Sequence, residues 1–185
     1  MFLSGAVALL LASCAGPPLT VYTLNVPVSA ADRSPPATVA VVIQIARVSV
    51  PDDLDSQDIM YRNGDILHRS QVGRWASRLS IGITDRLTER LAARRPDALV
   101  TDQPLADAAT YRVLINISRL DVTAVGTATL EANWTIVPRD AARPVLRDRV
   151  GLTASGPVAT DQDVVALVGG LLDRLAAAID IAGLR

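Results

Sequence analysis

Residues Thr127 to Pro138 alternate with a period of two. Ala128, Leu130, Ala132, Trp134 and Ile136 fall on one side, and Thr127, Thr129, Glu131, Asn133 and Thr135 on the other. Successive side chains of a strand point to opposite faces, so the pattern describes a strand with one dry face and one wet face. Such strands belong to antiparallel sheets covered on a single side. This one segment therefore constrains the whole chain: apolar elements must cover one face of a sheet, and the other stays in water.

Further strands are predicted around it. Thr20–Val26 reads as a short strand, and Val28–Pro36 has the composition of a linker. Thr38–Val48 is rich in β-branched residues, with Val39, Val41, Ile43 and Ile45 on one face, and Pro51 stops it. Ile59–Arg62 and Ile66–Arg69 flank Asn63-Gly64-Asp65, a hairpin turn whose residues tolerate positive φ. Ala98–Thr101 and Tyr111–Leu120 follow, the second with Tyr111, Val113, Ile115 and Ile117 on one face. Pro144–Leu152 is expected to pair with the alternating strand across the Arg139–Arg143 turn.

Two segments carry the helical period instead. From Gly73 to Arg94, Trp75, Leu79, Ile83, Leu87 and Leu91 recur every four residues. Arg86, Arg90, Arg94 and Arg95 crowd the C-terminal half, where cations favour the helix dipole, and Pro96 ends it. The last helix is expected near Thr160, capped reciprocally by Asp163. Its stripe is Val164, Leu167, Val168, Leu171, Leu175 and Ile179, and Gly169-Gly170 at its centre marks close packing or a kink. The prediction is an α+β fold: a mostly antiparallel sheet with two amphipathic helices packed on one face.

Composition narrows the function. The 185 residues carry 18 basic and 19 acidic side chains, a net charge of −1, so the basic excess that nucleic acid requires is missing. All the basic residues are Arg. One Cys and one His leave no material for an intrachain disulfide, a Cys-based zinc cluster or a multi-His metal site. That Cys, Cys14, closes an apolar run from Met1 that is shorter than the roughly 20 residues a membrane span needs. Leu11-Ala12-Ser13-Cys14 has the form of a bacterial lipobox: an aliphatic residue, two small ones for the peptidase to fit, and the Cys that is acylated. Cleavage is expected between Ser13 and Cys14. The chain then divides into a signal peptide (1–13), a lipidated N-terminus with short strand and linker (14–37), and one α+β periplasmic domain (38–185). No Arg or Lys precedes the apolar run, so a basic leader would require an earlier translation start. Two or more acyl chains, palmitate among them, hold a protein stably at ~0.8 kcal/mol per buried CH₂. Ala15 rather than Asp after the Cys favours the outer membrane.

Catalytic chemistry starts with few tools. His68 sits in a predicted strand between Leu67 and Arg69 and reads as a surface residue. No Ser stands in a Gly-x-Ser-x-Gly elbow, and no phosphate-binding glycine loop is present. Asp52, Asp53, Asp55 and Asp58 form an acidic loop without the ordered spacing of a calcium site. The expectation is a non-enzyme with no metal and no cofactor beyond the acyl groups on Cys14.

Several short motifs resemble the ABC-type transport auxiliary lipoproteins, the PqiC-like family. They are Tyr22-Thr-Leu24, Val50-Pro-Asp-Asp-Leu-Asp55, Ile59-Met-Tyr-Arg62, Arg74-Trp-Ala-Ser-Arg-Leu79, Tyr111-Arg-Val113 and the strand carrying Trp134. The chain departs from the family pattern at Ser56-Gln57, where a basic residue is common, and at Ser77-Arg78, where an acidic residue and Pro are common. The resemblance implies an outer-membrane lipoprotein that works with inner-membrane transport components and a periplasmic MCE-type lipid-binding protein, possible homo-oligomers included. The implied task is lipid movement between membranes and envelope integrity. Pro51, Leu54, Arg62, Arg69 and Trp75, within 50–79, are the expected partner-binding residues, since Trp and Arg are common interface anchors; core packing on the helix stripe is the alternative for Trp75, and a fold-stabilising ion pair that for Arg62. An assembly lipoprotein for an outer-membrane protein and a stand-alone lipid-binding module remain the alternatives.

Overall fold

The alternating segment forms a 12-residue strand of the expected bounds, and its dry-face residues are buried. This is seen in a computed structural model that describes residues 17–24 and 41–185. The signal segment, Ser13, Cys14 and the 28–36 linker lie outside the described residues. In chain order the described elements are β1 (Thr20–Tyr22), β2 (Val42–Ile45), β3 (Asp58–Asn63), β4 (Ile66–Trp75), α1 (Leu79–Arg94), β5 (Leu99–Thr101), β6 (Tyr111–Val122), β7 (Thr127–Pro138), β8 (Leu146–Ser155) and α2 (Asp161–Ala178).

Strands β5-β2-β6-β7-β8 make one sheet, and β1-β4-β3 a smaller one. The long strands β6, β7 and β8 are antiparallel neighbours, while β2 is parallel to both β5 and β6, and β1 is parallel to β4. The antiparallel expectation thus holds for the meander, and the N-terminal strands enter in parallel. The two sheets meet at the end of β6, where Arg62 of β3 bridges Thr123; Ser49, past β2, bridges Asn116 of β6. A register shift between Ile117 and Arg119 rephases β6, so that Tyr111, Val113, Ile115 and Ile117 point inward before it and Leu120 and Val122 after it.

Both helices cover the dry face. Ile83, Leu87 and Leu91 of α1 and Val164, Val168, Leu171, Leu172 and Leu175 of α2 join Ile43, Ile45, Val113, Leu130 and Ile136 in one core. Thr160 and Asp163 form the expected capping box of α2. The hairpin turn has positive φ at Gly64 alone (+59°), the sign pattern of a type II′ turn.

One expectation is corrected. The helix predicted from Gly73 begins at Leu79, and Gly73–Trp75 end β4. The backbone there is already engaged: Thr20–Tyr22 pair with Gly73–Trp75, the Trp75 amide donates to the Gln57 carbonyl (2.7 Å) and the Ala76 amide to that of Tyr22 (2.7 Å). Burial of Gly73 and Trp75 also fits a two-residue period, so the apolar spacing did not discriminate.

A candidate docking surface and the clamp behind it

The acidic loop between β2 and β3 is built into the fold at two of its four carboxylates. Helix α1 has no cap from its own N-cap residue, Arg78. Asp55 supplies it from outside: its carboxylate accepts the Ser80 amide at 3.0 Å, one of the donors a helix start leaves unpaired. Burial pushes the Asp55 carboxyl up, but the hydrogen bonds from Ser80 and the charges of Arg78 and Arg47 outweigh it and hold it below the ordinary value. Asp58 pairs with Arg74 (3.2 Å) and Arg69 (3.3 Å). Asp52 and Asp53 remain exposed at the loop's tip.

The expected partner-binding residues divide accordingly. Trp75 is 5% exposed and packs in the core, the alternative its apolar spacing had offered to a partner contact. Pro51 and Leu54 are half-buried, with Leu54 packed against the core. Arg62 is half-buried, and its guanidinium donates to both carboxylate oxygens of buried Asp121 (2.9 and 3.1 Å), tying the β3 end to β6. Of the five, only Arg69 is exposed. The face from 50 to 79 therefore presents Asp52, Asp53, Gln57 and Arg69 to solvent, over a scaffold held by the others. His68 is half-buried and stacks on Tyr61, ring centroids 5.2 Å apart.

Behind this face lies a clamp joining both helices to the N-terminal segment. Asp173 of α2 accepts Nε and Nη2 of Arg86 (3.0 and 2.9 Å) and of Arg90 (2.8 and 3.2 Å). Burial raises the Asp173 carboxyl, and the two guanidiniums more than offset this, leaving it below the ordinary carboxylate range. Buried Arg86 also donates to the Leu24 carbonyl. Gly169 makes room for it, since a Cβ there would sit 3.2 Å from Arg86 Nη2. Close packing thus accounts for Gly169, and α2 runs on without interruption. Arg94 donates to the carbonyls of Ala176 and Ile179, and Arg95 to those of Ile181 and Leu184. These arginines are ties between elements more than complements to a helix dipole.

Other exposed charge was not singled out by sequence reasoning. Arg147 and Arg149 of β8 lie opposite Thr135 and Asn133, on the wet face of the sheet, and Arg112 of β6 lies opposite Val137 on that face. Their side chains have no ion pair among the described residues. The signal was available: Arg147 and Arg149 repeat at the strand period on the polar side. At that end of the sheet an open cleft of about 390 Å³ is lined by Thr110, Tyr111, Arg139, Asp140 and Arg143, with the Arg143 guanidinium 5.9 Å from the Tyr111 ring. Among the described residues no three His, Cys, Asp or Glu converge on a possible metal position, and no helix is long and apolar enough to cross a membrane. The arrangement offers charged, hydrogen-bonding surfaces on a braced scaffold.

Comparison with known proteins gives the context. The family model for the ABC-type transport auxiliary lipoprotein component matches residues 22–180. The fold is similar to the crystal structure of an uncharacterized protein, with 15% identity, a TM-score of 0.70, and coverage of 87% of this chain and 95% of that one. It is also similar to protein XCC0632 from Xanthomonas campestris, of family DUF330, with 18% identity, a TM-score of 0.62, and coverage of 85% and 90%. No curated protein matches the sequence.

Proposed function

The chain belongs to the ABC-type transport auxiliary lipoprotein family, and from that premise we propose that it is acylated at Cys14, sits on the outer membrane and docks the periplasmic part of an MCE-type lipid transport system. On this reading it performs no covalent chemistry; it carries no cofactor beyond its acyl groups and serves intermembrane lipid movement by holding partners in place.

One observation carries the reading. The chain is part of the fold from Thr20: Thr20–Tyr22 pair with β4, and Leu24 is buried and held by Arg86. An acyl anchor would therefore hold a braced body rather than one on a loose leash. Thr20 lies six positions after Cys14, a reach of about 20 Å at full extension. A surface offered to a partner from such a body has a defined height and orientation, as docking requires and as an unattached lipid carrier does not. The face bearing Asp52, Asp53, Gln57 and Arg69 is the proposed contact.

The test is in-cell photo-crosslinking from positions 53, 57 and 69, with the adducts identified. Adducts with an MCE-type protein are expected. Adducts confined to an outer-membrane protein would replace this function with an assembly role. The anchor is tested separately: Cys14→Ala should move the protein from the outer-membrane fraction to the soluble periplasm, and unchanged fractionation would refute lipidation.

A further inference from the structure

The structure has two unlike ends, and the N-terminal segment points to one of them. Strand β1 is parallel to β4, with Thr20 opposite Gly73. Followed backward from Thr20, toward Cys14, the chain heads for the end where β4 begins, the β3–β4 turn. From Gly73 back to Ile66 is seven strand residues, about 23 Å, close to the reach of the six-residue tether. The β6–β7 turn lies at this same end, because Thr123 bridges Arg62 and the Ala124 amide donates to the Arg62 carbonyl at 2.8 Å.

Beside the exposed Asn63 and Asp65, this end presents large aliphatic side chains at turn positions that are ordinarily polar. Val125, in the β6–β7 turn, is 88% exposed, and Ile66, after the hairpin turn, is 62% exposed. Leu19 and Val21, each 59% exposed, lie farther along, beside the Gly73–Arg74 end of β4, on one face of the run leading back to Cys14. The basic groups nearby are neutralised, Arg62 by Asp121 and Arg69 by Asp58, while Asp65 at the hairpin tip is unpaired. This end therefore has no positive excess with which to bind anionic headgroups. Its chemistry suits the interfacial layer of a bilayer, where isolated aliphatic side chains can be buried beside an acyl anchor.

We propose that this end is seated in the membrane surface, with Ile66 and Val125 immersed at the headgroup boundary, so that the anchor and the two turns form a three-point contact. The inference rests on the acylation of Cys14 proposed above. Seating places the acidic loop and the arginines of β8 on the sides and far end, turned toward the periplasm.

The test uses the acylated full-length lipoprotein in vesicles of phosphatidylethanolamine and phosphatidylglycerol. Since acylation blocks Cys14, a single new thiol in Ile66→Cys, Val125→Cys or Leu146→Cys can carry an environment-sensitive NBD label. Leu146 is the control, exposed at the opposite end. Nitroxide-bearing lipids should cause about a twofold loss of emission at 66 and 125 and almost none at 146, and the loss should not change as the phosphatidylglycerol fraction rises. Water-like emission at 66 and 125 from protein that still floats with the vesicles would overturn the seating while sparing the anchor. A steep dependence on phosphatidylglycerol would overturn it in favour of electrostatic headgroup binding. Protein that neither floats nor carries acyl groups by mass spectrometry would remove the anchor itself, and the seating with it.

Discussion

The clamp at Asp173 sets up a measurable cost. Replacing Asp173 with Asn keeps the shape and removes the charge that both arginines share. Exposed ion pairs contribute about 0.2–1 kcal/mol, whereas stripping one partner from a buried pair costs about 3–5 kcal/mol. The Arg86 side chain is 11% exposed and that of Asp173 38% exposed, so solvent screens the pair in part. Arg90, 41% exposed, can turn to water at little cost. The loss falls mainly on Arg86, left buried without its counter-charge, and we expect about 2 kcal/mol. For a domain of this size that is a drop in Tm of roughly 4–8 °C. Hydrogen exchange should also quicken at Tyr22–Leu24, the segment that Arg86 holds. The pH dependence has a definite sign. The Asp173 carboxyl is held below its unfolded value, so its contribution is complete above that value, near pH 4, and is lost as the pH falls through the folded one. The Asn variant should therefore be penalised at neutral pH and approach the parent protein in acid. Urea melts of the non-acylated Cys14→Ser protein at several pH values provide the assay. A penalty under about 0.5 kcal/mol, the level of an exposed pair, with exchange at Tyr22–Leu24 unchanged, would refute the clamp.

Three further substitutions probe other parts of the fold. Gly126 has φ +84°, and a Cβ there would sit 2.2 Å from the Gly156 carbonyl oxygen, so Gly126→Ala should cost about 3 kcal/mol in a denaturant melt; a cost under about 1 kcal/mol would contradict the close approach. Thr88 buries a hydroxyl without a hydrogen-bond partner among the described residues, so Thr88→Val should raise stability by about 1 kcal/mol, and a destabilised variant would show that the hydroxyl is satisfied in solution. Asp55→Ala should cost about 1 kcal/mol at neutral pH through loss of the α1 cap, and because that carboxyl too is held below its ordinary value, the cost should fade as acid protonates the parent; melts at pH 7 and in acid test both statements.

Features that depend on nearest neighbours in the chain were legible. The β7 alternation, the Gly64 turn and the Thr160–Asp163 box are each decided within a dozen residues, and each stands in the structure. Trp75 shows where local pattern ends: its spacing from Leu79 suits a helix and its spacing from Gly73 suits a strand, and only pairing with Thr20–Tyr22, far away in sequence, decides between them. The parallel entry of β2 beside β6 is equally invisible, because side-chain alternation does not record a neighbour's direction. The candidate site was harder still. Asp55 looked like one more solvated carboxylate, yet it caps a helix that begins 24 residues later, and the partners of Asp173 are 83 and 87 residues away. Residue type announced that Arg62 and Trp75 mattered; whether they face a partner or the core is set by packing.

The clamp also bears on timing. Arg86, which holds Leu24, takes its counter-charge from the far end of the chain: α2 supplies Asp173, and the stretch from Ala176 to Leu184 supplies the carbonyls bound by Arg94 and Arg95. However much of the meander forms early, the guanidinium that holds Leu24 cannot meet its carboxylate until the last helix has arrived. A polypeptide moving N-terminus first through a narrow channel would thus complete its clamp only after its tail had cleared the exit.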